Sequence, residues 1–207
     1  IDEAARRVLE FKARLNLHKG ETAGRKATNE ETKQFQSASK KVAENAICCV
    51  RDINKLLPLK KLRDGARVVT ITLTNDFDLK EIDLALKARG YNVEHLCNTD
   101  DCNISGRWRN ADAVFVNFSF RANWAVSSVR CVGAFNRIFM GGFYMEHPCV
   151  VFTSFGSPYH LRQFSALPNY INVHSATPDS QQAAVAAWFG EIPMSGKSPV
   201  QNLVRTF

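Results

Sequence analysis

Ile1, Ala4, Ala5, Val8, Phe11 and Leu15 recur at intervals of three and four, which predicts an amphipathic helix over 1–17. From 18 to 36 apolar residues nearly vanish while Gly20 and Gly24 appear, so an exposed linker is expected. Val42, Ala46, Ile47, Val50 and Ile53 return to helical spacing and predict a second helix over 37–54, ended by Leu56-Leu57-Pro58-Leu59. Beyond residue 66 the pattern alternates between short apolar runs and amphipathic stretches. Strands are predicted at 68–73, 91–96, 113–120, 148–153 and 170–174. Helices are predicted at 78–89, where Gly90 supplies the stop, and at 126–140, 159–167 and 180–189.

The strands read as buried on both faces, because Val114-Phe115-Val116 and Val150-Val151-Phe152 carry no polar alternation. Such strands separated by helices imply a parallel sheet covered on each side. Right-handed crossovers then leave few topologies. The expected fold class is α/β, a three-layer α/β/α sandwich of flavodoxin-like type. Its sheet is mainly parallel with five to six strands, and two helices and a polar linker precede it. Residues 60–207 are expected to form the sandwich. Residues 1–59 are expected to form a helical region ahead of it.

Composition narrows the function classes. With 45% hydrophobic and 23% charged residues the chain is globular rather than disordered. No run approaches the roughly 18 apolar residues of a membrane span, so no membrane partner is expected. The first ten residues carry Asp2, Glu3, Arg6 and Arg7, which argues against a signal peptide, and Ile1 in place of Met suggests a fragment. The net charge of +7 is uneven: residues 1–65 hold 15 Lys/Arg against 9 Asp/Glu. That excess alternates with acids along a solvated helix and lacks the basic face that nucleic acid requires, so nucleic acid is not expected as a partner. Six cysteines form no C-x-x-C pair and no His-x-x-x-His accompanies them, so neither a metal nor a cofactor is expected. They read as reduced thiols, which favours a cytoplasmic setting, although Cys97 and Cys102 flank a polar loop and are open to pairing.

In a sheet of this kind ligands bind outside the carboxyl ends of the strands. The loop after the first strand, Thr74-Asn75-Asp76, has no glycine to cradle a phosphate, and Asp76 and Asp78 read as helix caps. Asp100 and Asp101 resemble half of a Mg²⁺ site, but the third strand ends without the acid that would complete it. The turn Ser154-Phe155-Gly156-Ser157-Pro158-Tyr159 lacks the two flanking glycines of a nucleophile elbow, and Ser157 reads as a helix cap. A stand-alone hydrolase using Ser157 or Cys131 is the weakest of the functional readings.

Four segments, in order, resemble glycoside hydrolase family 3. The Ser154–Tyr159 turn is similar to the G-x-P-Y turn of that family's second domain. The stretch from Tyr170 through Gln181-Gln182-Ala183-Ala184 to Gly190-Glu191 and Gly196-Lys197-Ser198-Pro199-Val200 resembles its closing segment. Residues 1–17 look like the last helix of its first, barrel domain, and 43–59 like the entry to the second. The resemblance implies the C-terminal α/β domain of such a protein, packed on a barrel domain of the same polypeptide, with carbohydrate as a possible ligand. A barrel of about 250 residues, with its nucleophile, does not fit in this chain. The β-glucosidase branch takes an acid from the second domain, whereas 120–131 here contains no Asp or Glu. The resemblance therefore points to the β-N-acetylhexosaminidase-like branch and assigns this chain no catalytic residue. Ser198 stands where the family usually has Leu. Arg121, Asn123, Trp124, Ser157 and Tyr159 are expected on the substrate-cleft rim or against the barrel. The alternative is a free-standing α/β module that binds a sugar or a protein.

Overall fold

The computed structural model describes residues 2–20, 27–74, 78–97, 104–120 and 143–200. The chain divides into two compact units, Ile1–Ser37 and Ala38–Phe207. In the first, helix α1 (Asp2–Arg14) is followed by a 3-10 turn at Leu17–Lys19. Arg6 and Arg7 pair with Glu3 one turn away, and no residue of α1 is buried.

Helix α2 runs Asn29–Ala46, so it begins inside the expected linker and stops well short of residue 54. The early start has a local cause. The Glu31 amide donates to Thr28 Oγ1 at 3.2 Å and the Thr28 amide donates to Glu31 Oε2 at 2.9 Å, a reciprocal capping box. The early stop has a tertiary cause. Cys48–Asp52 is strand β1 rather than helix, added to the sheet edge. Asp52 then turns the chain by accepting the Leu56 and Leu57 amides, each at 2.9 Å. The sheet therefore starts ahead of the expected boundary at residue 60.

The remaining elements are β2 (Arg67–Thr74), α3 (Lys80–Lys87), β3 (Asn92–Cys97), α4 (Ile104–Arg107) and β4 (Ala113–Ser119). They continue with α5 (Phe143–Glu146), β5 (Val150–Ser154), α6 (His160–Gln163), β6 (Asn169–Asn172) and α7 (Pro178–Trp188). The helix expected over 126–140 lies outside the described residues. The strand order is β1-β6-β5-β4-β2-β3, with β2 to β6 parallel and β1 antiparallel beside β6. This is the expected mixed α/β sheet of six strands with helices on both sides.

Successive side chains of each strand point to opposite faces. Val68, Phe115, Val151 and Ile171 share one face with Leu79, Ile82 and Leu86 of α3 and with Ala184, Ala187 and Trp188 of α7. Trp188 stacks on Phe115 at 4.4 Å between ring centroids. Val69, Ile71, Val116, Phe118 and Phe152 share the other face with Trp108, Leu161 and Phe164.

Two of the segments that carry the resemblance, 43–59 and 170–200, meet in space. The Leu59 amide donates to Trp188 O at 2.7 Å, and the Gly196 amide donates to Ile47 O at 2.8 Å. Gly190 has φ +71°, and a Cβ there would lie 3.0 Å from Pro58. The glycine in Gly190-Glu191 is thus required both by its backbone and by the proline of Leu57-Pro58-Leu59.

Candidate functional site

The carboxyl ends of the parallel strands carry a buried polar layer: Thr72 and Thr74 on β2, Asn117 and Ser119 on β4, Thr153 and Ser154 on β5, and Asn172 on β6. β2 lies between β3 and β4, so the chain's winding reverses there. Such switch points are where open α/β sheets bind ligands. Some of this layer is satisfied internally. Thr74 donates to Ser119 O at 2.8 Å, and the Trp188 indole donates to Thr153 Oγ1 at 3.1 Å. Among the described residues, Thr72 Oγ1 and both side-chain polar atoms of Asn117 and Asn172 have no hydrogen-bond partner. Thr72 and Asn117 face each other in register.

On one side of the switch point four charged or polar groups converge. His95 Nδ1 lies 2.7 Å from Asp83 Oδ2, and Nε2 lies 2.9 Å from Asp78 Oδ1. Thr70 donates to Asp83 Oδ1 at 2.7 Å. Asp83 hydrogen bonding above all, then the charge of both carboxylates, raises the His95 pKa against the opposing effect of burial. Asp78 does not cap α3: its N-cap is Leu79, which forms no side-chain cap hydrogen bond. Asp76 lies outside the described residues. Cys97 completes the group, with its thiol pKa pushed up by burial and then by Asp78. Cys48, Cys49, Cys97 and Cys149 are free thiols, and Cys102 and Cys131 lie outside the described residues. Burial alone pushes the Cys149 thiol up to about 11.

On the other side lies the β5–α6 turn. Gly156 is required because a Cβ there would come 3.0 Å from Phe120 O. Ser154 donates to Ser157 O at 2.8 Å, so its 2.9 Å contact with His160 Nδ1 has the imidazole as donor. A histidine that donates to a serine is in the wrong tautomer to act as its base. Ser154 and His160 are moreover fully buried. Ser157 does not cap α6, whose N-cap is Tyr159. It braces the turn instead, by accepting the Tyr159 amide at 3.3 Å. The Tyr159 ring is 42% exposed, with the Arg162 guanidinium 4.9 Å from its centroid. Of the expected rim residues, Ser157 and Tyr159 therefore lie together at the carboxyl edge. Arg121, Asn123 and Trp124 lie outside the described residues.

Cavities elsewhere are less suited to chemistry. One of about 660 Å³ lies at the amino ends of β5 and β6, beside His147 and Glu146. One of about 430 Å³ lies between Leu57-Pro58 and 190–194. No helix among the described residues is long and apolar enough to cross a membrane.

No family model matches the chain. A β-N-acetylglucosaminidase/β-glucosidase from Cellulomonas fimi is 25% identical over 97% of this chain and 38% of its own length. The chain matches the C-terminal part of a family 3 glycoside hydrolase. Solved structures share the fold. A β-glucoside phosphorylase, BglX, superposes with a TM-score of 0.71 at 23% identity, covering all of this chain and 39% of the phosphorylase. A family 3 β-N-acetylglucosaminidase from Paenibacillus sp. str. FPU-7 gives 0.69 at 16% identity, covering 99% of this chain and 40% of that protein. The chain thus spans about two fifths of the length of these relatives, which are larger proteins with additional chain.

The Asp78–Asp83–His95–Cys97 group escaped the reading of local motifs. One signal was available. Asp83 sits between Ile82 and Leu86 on the buried stripe of α3, where a carboxylate demands a partner.

Proposed function

We propose that this chain is the non-catalytic C-terminal domain of a β-N-acetylhexosaminidase-like family 3 glycoside hydrolase. It packs on a barrel domain of the same polypeptide and borders the substrate cleft with its carboxyl-end rim. The carrying observation is coverage: nearly the whole chain aligns with well under half of the Cellulomonas fimi relative. The branch is supported by the Paenibacillus relative, named a β-N-acetylglucosaminidase, and by the absence of any Asp or Glu over 120–131, while the Cellulomonas fimi relative is named for both activities. A non-catalytic role is supported by the chemistry of the rim. Ser157 is committed to a turn, and the neighbouring His160 donates to Ser154.

Tyr159, and Trp124 with it, offers an aromatic face suited to a sugar ring, and Arg121 and Asn123 suit hydroxyl or carboxylate groups. The test is Tyr159→Ala in the whole protein, assayed on an aryl N-acetylglucosaminide. The expected result is a KM raised about tenfold, the equivalent of roughly 1.4 kcal/mol of binding, with kcat nearly unchanged. An unchanged KM would remove Tyr159 from the cleft.

A further inference from the structure

The end of β3 and the residues leading into α3 bring three unlike donor atoms to one point. Asp78 Oδ1, His95 Nε2 and Cys97 Sγ lie within 4.8 Å of one another. Strand alternation puts His95 and Cys97 on one face, and Asp78 reaches them from the segment after β2. Asp78 Oδ1 and His95 Nε2 are closed off from solvent and meet as an ion pair at 2.9 Å. The thiol beside them adds a sulfur, so an oxygen, a nitrogen and a sulfur gather at one point.

The second ring nitrogen is already occupied. His95 Nδ1 meets Asp83 Oδ2 at 2.7 Å, and Asp83 Oδ1 is held by the Thr70 hydroxyl at 2.7 Å. This fixes the ring plane and turns Nε2 toward Asp78 and Cys97. A carboxylate behind a histidine is the outer-shell arrangement that orients metal-bound imidazoles.

We propose that Asp78, His95 and Cys97 bind a zinc ion, with Asp83 and Thr70 as positioning residues. One oxygen, one nitrogen and one sulfur form a mixed donor set that suits zinc, whereas magnesium and calcium require oxygens throughout. Tetrahedral zinc with bonds of about 2.0 Å to oxygen and nitrogen and about 2.3 Å to sulfur holds its ligands about 3.3–3.5 Å apart. Asp78 and His95 must therefore separate by about 0.4 Å, and the Cys97 sulfur, within 4.8 Å of both, must close by up to about 1.3 Å. The Asp78 and His95 side chains, 28% and 24% exposed, leave room for their shift and a path for the ion. Binding releases the Cys97 thiol proton to solvent. Three protein ligands leave the fourth position to water, the count of an open zinc site. The sequence shows no zinc motif because the donors come from two segments 17 residues apart at His95 and Asp78. The site stands at the carboxyl rim whatever domain adjoins the chain.

The test is calorimetric titration of Zn²⁺ into the intact, metal-stripped protein, alongside optical spectra with Co²⁺. The intact protein is expected to bind one equivalent more than its Cys97→Ser variant, and the Co²⁺ form to show a thiolate-to-metal charge-transfer band that this variant lacks. Asp78→Asn and His95→Gln should weaken binding by more than about 100-fold, and Asp83→Asn by about 10- to 100-fold. Cys149→Ser, outside the group, should change nothing. Equal stoichiometry in the intact and Cys97→Ser proteins would overturn the proposal. If a variant fails to fold, the Co²⁺ spectrum of the intact protein decides: absence of a sulfur band overturns the site.

Discussion

The two faces of the one sheet are built on different rules. The face shared by Phe118, Phe152 and Phe164 has an apolar layer reaching to Phe118 and Phe120 at the carboxyl end. The face under α3 and α7 is apolar only up to Phe115 and Val151, and then becomes polar at Thr70, Thr72, Thr74, Asn117 and Thr153. The same alternating backbone serves both. Within that polar layer the residues differ in whether they have a partner among the described residues. Thr70 and Thr153 have partners, whereas Thr72 and Asn117 have none. One face therefore stays apolar to Phe118 and Phe120, and the other turns polar earlier, at the end where ligands approach such sheets.

The largest expected effects come from removing the aromatic anchor of each face. Phe118→Ala and Trp188→Ala should each cost about 3–5 kcal/mol in urea unfolding, because each empties a fully buried site. A cost for Trp188→Ala below about 1 kcal/mol would show that the face under α3 and α7 is not a core at all. Sharper, and smaller, is a pair of conservative changes on β2. Thr70→Val should destabilise by about 1–3 kcal/mol, because buried Asp83 loses its donor. Thr72→Val should be neutral or stabilise by up to about 1 kcal/mol, because it replaces a hydroxyl that is buried without a partner. Equal losses at the two threonines would break the distinction between satisfied and unsatisfied polar groups.

Much of the fold was legible in periodicity. The five parallel strands lie within two residues of their expected starts, because fully buried strands leave unbroken apolar runs such as Ala113–Val116. Periodicity failed at α2 and β1 for reasons beyond its reach. The capping box at Thr28 and Glu31 starts a helix in polar sequence. Cys48-Cys49-Val50 fits a helical stripe as well as a strand, and only the free edge of β6 decides between them. Periodicity also cannot say what covers a stripe. Helix α1 reads as amphipathic, yet Val8 is 53% and Phe11 62% exposed. The Ala-rich α7 shows little periodicity and is buried on almost every side, from Ser180 to Trp188.

The candidate site was less legible than the fold. The Ser157–Tyr159 turn could be picked out by its glycine and proline, but its hydrogen bonds depend on Ser154 and His160 in three dimensions. The Asp78–His95–Cys97 group could not be picked out by spacing, because its donors meet only once β3 lies beside β2.

The central proposal is that this chain is one domain of a larger glycosidase. It is tested most directly by sizing the native polypeptide in its source cells with an antibody raised against these 207 residues. The expected band is longer than the chain by at least a barrel, about 250 residues, and the purified protein hydrolyses an aryl N-acetylglucosaminide. A band no longer than the chain would contradict the account. It would leave a free-standing α/β module whose likeness to family 3 records ancestry alone.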